Sequence, residues 1–306
     1  MRRVVAIANG KGGVGKTSLT AGLAGLVANA GYRVLTVDAD PQGNLRRDLG
    51  YPGSDGTELC SAVLHGQPVE PLREVRPNLD CVPGGPALHD LSAAYISRAM
   101  RNQTVSGLGG VLEGLRPRGK AHERYDLVLI DTPPGEQVIQ DLVFAAADHL
   151  IIPTRSDEAS LDGLVAVADR FVVARTTNPD LTLLGVLLFG VRAGSTRLRQ
   201  TVRDTLEDNL GGVAPVFEAS IRYLESAAVD LRRHGLLPHE LEQGQKRAKG
   251  ERLSRLRRGA KAGATEDLLS RDASGLVDDY QALAEEVIAA VNAADTRRVA
   301  GAAVAQ

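Results

Sequence analysis

An α/β fold, a doubly wound and mostly parallel sheet flanked by helices, is predicted by three observations. The apolar run Val4 to Ala8 is followed at once by the glycine-rich segment GKGGVGKTS, Gly10 to Ser18, and that segment by residues of helical period. Short apolar runs recur along the chain and alternate with helical segments, the pattern of parallel strands joined by crossover helices. Three aspartates, Asp38, Asp40 and Asp131, stand at the ends of such runs, on the edge where ligands bind in sheets of this kind.

Composition bounds the possibilities. With 306 residues and 43% apolar content, the chain can bury a full core as one large domain or two small ones. Its formal net charge is −2, so any contact with nucleic acid must come from local patches. Cys60 and Cys81 are the only cysteines and form no CxxC, and the six histidines are scattered. Neither a disulfide framework nor a zinc site is indicated, which fits a reducing cytoplasm. Two arginines before Val4 give the start a superficial likeness to a signal peptide, but the apolar run ends at Asn9-Gly10 and reads as a first strand. The longest apolar stretch, Leu181 to Val191, contains Thr and Gly and reads as a buried strand, too short to span a membrane.

Taken in order, the first helix covers Thr17 to Ala30, with Leu19, Leu23, Leu26, Val27 and Ala30 on one face and Gly31 as its cap. The next strand is Arg33 to Val37, running into Asp38-Ala39-Asp40-Pro41-Gln42-Gly43-Asn44. Further strands are expected at Leu79 to Val82, Leu127 to Ile130, Leu150 to Ile152, Leu183 to Phe189 and Val213 to Phe217. Helices are expected near Glu58 to Leu64, Leu161 to Ala174, Thr196 to Leu210 and Tyr223 to Arg233. The expected organisation is a nucleotide-binding domain over residues 1–240, a basic arm or insertion over 241–275, a helix over 276–293 that packs back on that domain, and a disordered tail over 294–306.

The glycine-rich segment matches GxxxxGK[ST] as Gly10, Gly15, Lys16 and Thr17, between strand and helix as that pattern requires. It is a nucleoside triphosphate site of Walker A type. Glycines permit the backbone angles and close approach with which successive N–H groups form an anion-binding nest, here over Gly12, Gly13, Val14, Gly15, Lys16, Thr17 and Ser18. The following helix adds its positive end. Lys16 supplies a point charge for the β and γ phosphates, and the Thr17 hydroxyl is a Mg²⁺ ligand. A second lysine, Lys11, opens the loop where an ordinary Walker A motif has no fixed requirement, which makes this the deviant form of the motif.

Asp131 follows the apolar LVLI and has the character of a Walker B acid, holding Mg²⁺ through its water shell. Asp38 and Asp40 lie two apart on an extended segment and so point the same way, toward the phosphate edge, where one of them is well placed to orient an attacking water; the candidate metal-holding residues are Thr17, Asp38 and Asp131.

Together KGGVGKTS, VDADPQGN, YDLVLIDTPPG and ADHLIIPTRSDEASLDGL, in that order, resemble the ParA/Soj family of chromosome and plasmid partition ATPases, and NLDCVPGGPAL and GVLLFGV are similar to further segments of it. The likeness covers residues 3–235. It implies a homodimer formed with ATP and Mg²⁺, in which Lys11 of each subunit reaches the phosphates held by the other while Lys16 serves its own and Asp40 orients the hydrolytic water. It also implies that ATP-bound dimers bind double-stranded DNA without sequence preference, in the cytoplasm on the nucleoid, and that a ParB-type centromere-binding protein stimulates hydrolysis and releases them. The early first strand matches the short class, without an N-terminal helix-turn-helix domain. Two departures stand out. The family's Pro-Arg-Asn turn near the adenine is absent from Ser220-Ile221-Arg222-Tyr223, and the family's DNA-contact arginine can be matched by either Arg192 or Arg197.

The tail is less family-like. Eight basic residues and one acid, Glu251, fall between Lys246 and Lys261, a local charge of +7. Two readings stand side by side, a solvated helix face and a DNA-phosphate patch that includes Arg252, Arg255 and Arg258. Beyond it Leu276, Tyr280, Leu283, Val287 and Val291 recur at helical spacing. Two rival readings share the deviant loop. A MinD-like membrane-cycling ATPase would end in a basic amphipathic helix, whereas VAGAAVAQ offers little apolar area to a membrane. A reductase of the nitrogenase iron-protein type would use cysteines for a shared cluster, whereas Cys60 and Cys81 fall on core positions of a helix and a strand.

Overall fold

The computed structural model describes residues 3–101, 105–115, 125–191, 200, 203–204, 215–257 and 273–304. The strands are β1 (Val4–Ile7), β2 (Val34–Asp38), β3 (Leu72–Arg76), β4 (Leu79–Val82), β5 (Leu127–Asp131), β6 (His149–Thr154), β7 (Thr182–Val191) and β8 (Val216–Arg222). They form one sheet in the order β3-β4-β2-β5-β1-β6-β7-β8, parallel throughout except for the antiparallel edge pair β3 and β4. The helices are α1 (Lys16–Asn29), α2 (Leu45–Leu49), α3 (Thr57–His65), α4 (Asp90–Met100), α5 (Gly107–Gly114), α6 (Gln137–Ala146), α7 (Glu158–Ala174), α8 (Glu225–His234), α9 (Pro238–Arg257) and α10 (Ser274–Val304).

The period of two along the strands divides the core between the faces of the sheet. Val4, Ala6, Ala8, Leu35 and Val37 pack with Leu59 of α3, Leu91 of α4, Leu108 of α5, Val143 of α6 and Val167 of α7. Val5, Ile7 and Val34 turn to the other face, with Leu23 of α1, Leu49 of α2, Ala227 of α8, Leu241 of α9 and Leu283 of α10. Both faces are covered, which accounts for strands that read as continuous apolar runs.

Helix α1 departs from the single apolar face that its sequence suggests: Ala21, Gly22, Ala24 and Gly25 are buried along with Leu19 and Leu23. The reason is a second layer. A Cβ at Gly22 would lie 2.4 Å from the Tyr280 ring of α10, and one at Gly25 would lie 2.1 Å from Leu237. Each helical glycine costs about 1 kcal/mol relative to alanine, and here the absent Cβ lets the C-terminal helices lie directly on α1. The helix ends as expected at Gly31 (φ +94°), with the Tyr32 N–H donating to the Val27 carbonyl at 3.3 Å and the Gly31 N–H to Ala28 at 3.0 Å.

Three expectations for the second half of the chain change. Leu276, Tyr280, Leu283, Val287 and Val291 are buried as their spacing requires, but α10 continues to Val304, so residues 294–304 are helical where a disordered tail was expected. The final turns are held by ion pairs to the N-terminal edge of the sheet, Arg3 to Asp295 at 2.9 Å and Arg298 to Asp148 at 3.2 Å. The expected arm over 241–275 begins instead as part of α9, with Leu241 fully buried and the Gln245 side chain accepting a hydrogen bond from the Ala273 N–H at 3.2 Å. The strand expected at Val213 to Phe217 runs from Val216 to Arg222. The helix expected over 196–210 and residues 258–272 of the arm lie outside the described residues, apart from positions 200 and 203–204. No helix among the described residues is long and apolar enough to cross a membrane.

Candidate functional site

Strands β2, β5 and β1 are neighbours, and their register puts Asp38 beside Asp131 and Asp131 beside Ile7. Two of the three aspartates therefore stand level with the last residue of β1, just before the glycine-rich loop leaves the sheet. At the root of the loop, the buried Asn9 side chain donates to the Pro153 carbonyl at 2.8 Å and accepts from the Lys11 N–H at 2.8 Å. Gly13 (φ +77°) and Gly15 (φ +91°) occupy the left-handed region that glycine alone tolerates cheaply. Gly15 has a second reason to lack a side chain, since a Cβ there would lie 2.3 Å from the Phe189 ring. Gly163 of α7 likewise makes room for the loop: its Cβ would meet the Asn9 Oδ1 at 2.5 Å.

Lys16 is 6% exposed, and its Nζ folds back across the loop to donate to the Lys11 carbonyl at 2.8 Å. Burial lowers its pKa, and the charges of Asp131 and Asp40 act in the opposite direction. Lys11 points elsewhere. Its Nζ pairs with Asp157 at 2.6 Å, both side chains being partly exposed. The two lysines of the motif thus have different environments, one buried among the carboxylates and one at the surface.

The three aspartates also differ. Asp131 is fully buried, and neither of its carboxylate oxygens has a hydrogen-bond partner. Thr17 lies beside it and tempers the shift of its pKa without making a well-directed bond; burial, then the neighbouring Asp38, push that pKa well up. Asp38 uses one oxygen to accept from the Asp40 N–H at 3.1 Å and the other from the Leu45 N–H at 3.2 Å. Its pKa is pushed up to about 7, mainly by burial. Expected beside the metal, Asp38 thus also shapes the loop that carries Asp40. Asp40 accepts from the Gln42 N–H at 2.8 Å through Oδ1, and burial raises its pKa while Lys16 opposes the rise.

An unpartnered buried carboxylate costs several kcal/mol unless a cation or proton meets it. Among the described residues no three His, Cys, Asp or Glu side chains converge as a metal cage. Asp131 with Thr17 fits instead the manner of Mg²⁺, which takes one or two protein oxygens and completes its shell with water and phosphate. Asp131→Asn is accordingly expected to raise the Tm of the nucleotide-free protein by about 3 °C, the effect of roughly 1 kcal/mol, and to abolish the further rise that Mg²⁺ with ATP confers. Thermal unfolding with and without Mg²⁺ and ATP checks this; a lower Tm without nucleotide, or an undiminished rise with it, goes against the assignment.

A cavity of about 310 Å³ opens from the loop at Gly13, Gly15 and Ser18 toward Arg155, Phe189 and Tyr223. The Arg155 guanidinium lies 5.8 Å from the centre of the Tyr223 ring and its Nη1 donates to the Gly13 carbonyl at 3.4 Å. These three walls were not legible in the sequence as site residues. Tyr223 ends the Ser220 to Tyr223 stretch that lacks the expected turn motif, and it still reaches the cavity. Of the arginines expected at DNA, Arg192, Arg197 and Arg258 lie outside the described residues, and Arg252 and Arg255 are placed three apart on α9. Cys60 and Cys81 are buried on opposite faces of the sheet, positions for packing.

Comparison with known proteins agrees with this geometry. Residues 2–183 match the family model described as AAA domain. The chain is 34% identical over 210 residues to the chromosome-partitioning ATPase Soj of Thermus thermophilus, covering 68% of this chain and 77% of that protein. It is 36% identical over 190 residues to the chromosome partitioning protein ParA of Caulobacter vibrioides, covering 61% and 68% respectively. Among solved structures, cobyrinic acid a,c-diamide synthase from Mycobacterium smegmatis with bound ADP and magnesium superimposes with a TM-score of 0.62 at 27% identity, covering 87% of this chain and 100% of that one.

Proposed function

The chain belongs to the AAA domain family and, within it, to the Soj/ParA partition ATPases, and from that membership and the site we infer that it binds and hydrolyses ATP and dimerises in doing so. The observation that carries the reading is Asp131, buried with both oxygens unpartnered at the mouth of a glycine-rich loop, beside Thr17 and Lys16. A loop poised in this way suits a nucleoside triphosphate better than an unliganded state.

Each residue has a task. Backbone N–H groups of Gly12, Gly13, Val14, Gly15, Lys16, Thr17 and Ser18 cradle the phosphates, and the Lys16 ammonium neutralises the β and γ groups. Thr17 and Asp131 would hold Mg²⁺, with Asp38 behind them, and the cation when bound would supply positive charge beside the transferring phosphoryl group. Asp40 orients the attacking water. The Gly13, Arg155, Phe189 and Tyr223 cavity receives the nucleoside.

Lys11 crosses to the phosphates bound by a second copy. Its pair with Asp157 does not prevent this, since a partly exposed ion pair contributes at most about 1 kcal/mol. ATP-bound dimers bind duplex DNA of any sequence through Arg192, Arg197, Arg252 and Arg255 of α9, and Arg258. A ParB-type partner releases them on the nucleoid by stimulating hydrolysis. Membership of a partition family supports both steps.

The test is binding to a duplex of arbitrary sequence with and without ATP, alongside sedimentation of Lys11→Ala. The wild type is expected to bind DNA only with ATP. Lys11→Ala is expected to keep nucleotide affinity within about threefold of wild type, because an exposed lysine adds little to its own subunit's site, and to remain monomeric with ATP. Dimers of that variant with ATP would refute the cross-subunit role, and DNA binding indifferent to ATP would refute the partition reading. Association with anionic lipid vesicles in place of DNA would favour the MinD-like alternative.

A further inference from the structure

Strand β2 lies between β4 and β5, so the loop that carries Asp40 is flanked by the loops that follow those two strands. The loop after β4 ends in the tight turn Pro86–His89, and the one after β5 reaches α6 through Glu136, its N-terminal cap residue. His89 and Glu136 meet: the imidazole Nδ1 is 3.6 Å from the Glu136 Oε1. Both side chains fall within electrostatic reach of Asp40, as does Lys16. The flanking loop is pressed against Asp40's own, since a Cβ at Gly84 would lie 2.3 Å from the Asp38 carbonyl oxygen and 3.0 Å from that of Asp40. Residues from the loops that follow the two strands flanking β2 thus meet beside the loop that carries Asp40.

We propose that His89 and Glu136 are positioning residues for Asp40, a paired bracket that fixes its carboxylate and closes the outer side of the place from which the attacking water comes. The proposal rests on the reading of Asp40 as the water-orienting residue. Neither bracket residue belongs to the phosphate loop, so their contribution falls on the chemical step and not on nucleotide affinity. The pair is partly exposed, which bounds the effect: about fivefold in rate corresponds to the upper range of such pairs. Because two residues form one contact, removing both does little more than removing either.

The experiment uses the full chain and compares His89→Gln, Glu136→Gln and the double variant, alone and in an Asp40→Ala background. It reads kcat for ATP hydrolysis and affinity for a fluorescent non-hydrolysable ATP analogue. Each single variant is expected to lose about fivefold in kcat with unchanged analogue affinity, the double variant to lose the same, and Glu136→Asp to recover part of the loss. With Asp40→Ala the His89 and Glu136 changes are expected to add nothing. Wild-type kcat in either single variant, a parallel loss of affinity, or additive losses would each overturn the bracket while leaving Asp40 in place. A wild-type rate in Asp40→Ala itself would instead overturn the assignment of Asp40, whatever the bracket variants do.

Discussion

Lys16→Ala is expected to weaken ATP binding at least roughly 100-fold, the loss of about 3 kcal/mol from a buried charge-assisted contact. The size follows from position. Lys16 is the buried cation of the loop, facing Asp131 and Asp40, and its Nζ is already held across the loop mouth by the Lys11 carbonyl. Binding requires that ammonium to leave one carbonyl oxygen for the phosphates, a short movement within the same loop. Without it, the phosphates meet two buried carboxylates with no intervening positive charge from their own subunit. Titration with a fluorescent ATP analogue measures the loss, and retained affinity would remove the basis for the site.

A different signature is expected of Asp40→Ala, which should bind Mg²⁺ and ATP, accumulate as a dimer and hydrolyse at least roughly 100-fold more slowly. Orienting water acts in the transition state, so the loss belongs in kcat. Asp40 accepts from the Gln42 N–H through only one of its oxygens, whereas Asp38 engages both of its oxygens with the Asp40 and Leu45 N–H groups and Asp131 is fully buried. Single-turnover hydrolysis distinguishes the outcomes. An unchanged rate would pass the role to Asp38, and failure to bind ATP would make Asp40 part of the binding machinery.

These two predictions rest on the most legible part of the chain. The spacing of Gly10, Gly15, Lys16 and Thr17 and the strand-end positions of Asp38, Asp40 and Asp131 are local signals, because a phosphate loop needs glycine at fixed offsets and a strand end needs only a run of apolar residues before it. Elements without such signals were missed. β3 carries no apolar alternation and exists as an edge strand against β4. α5, with the sequence GLGGVLEG, holds four glycines in eight residues and is a helix because Leu108 and Val111 are buried. The basic stretch from Lys246 reads as a charged run, although α9 is anchored one turn earlier at Leu241.

The sequence by itself determined that this protein has a doubly wound sheet with a deviant Walker A loop after its first strand, since both follow from periods and spacings within a few residues of each other. Only the tertiary structure decided how the carboxylates are arranged. The order β4-β2-β5-β1 inserts a late strand between two early ones, bringing Asp131 level with Asp38 and bringing His89 and Glu136, from the loops after β4 and β5, within 3.6 Å of each other. It also decided that Phe189 and Tyr223 wall the cavity and that Gly22 and Gly25 exist to admit Tyr280 and Leu237. Those contacts join residues far apart in the chain, and burial and close approach at such distances depend on which elements become neighbours, a property that no local pattern of side chains encodes.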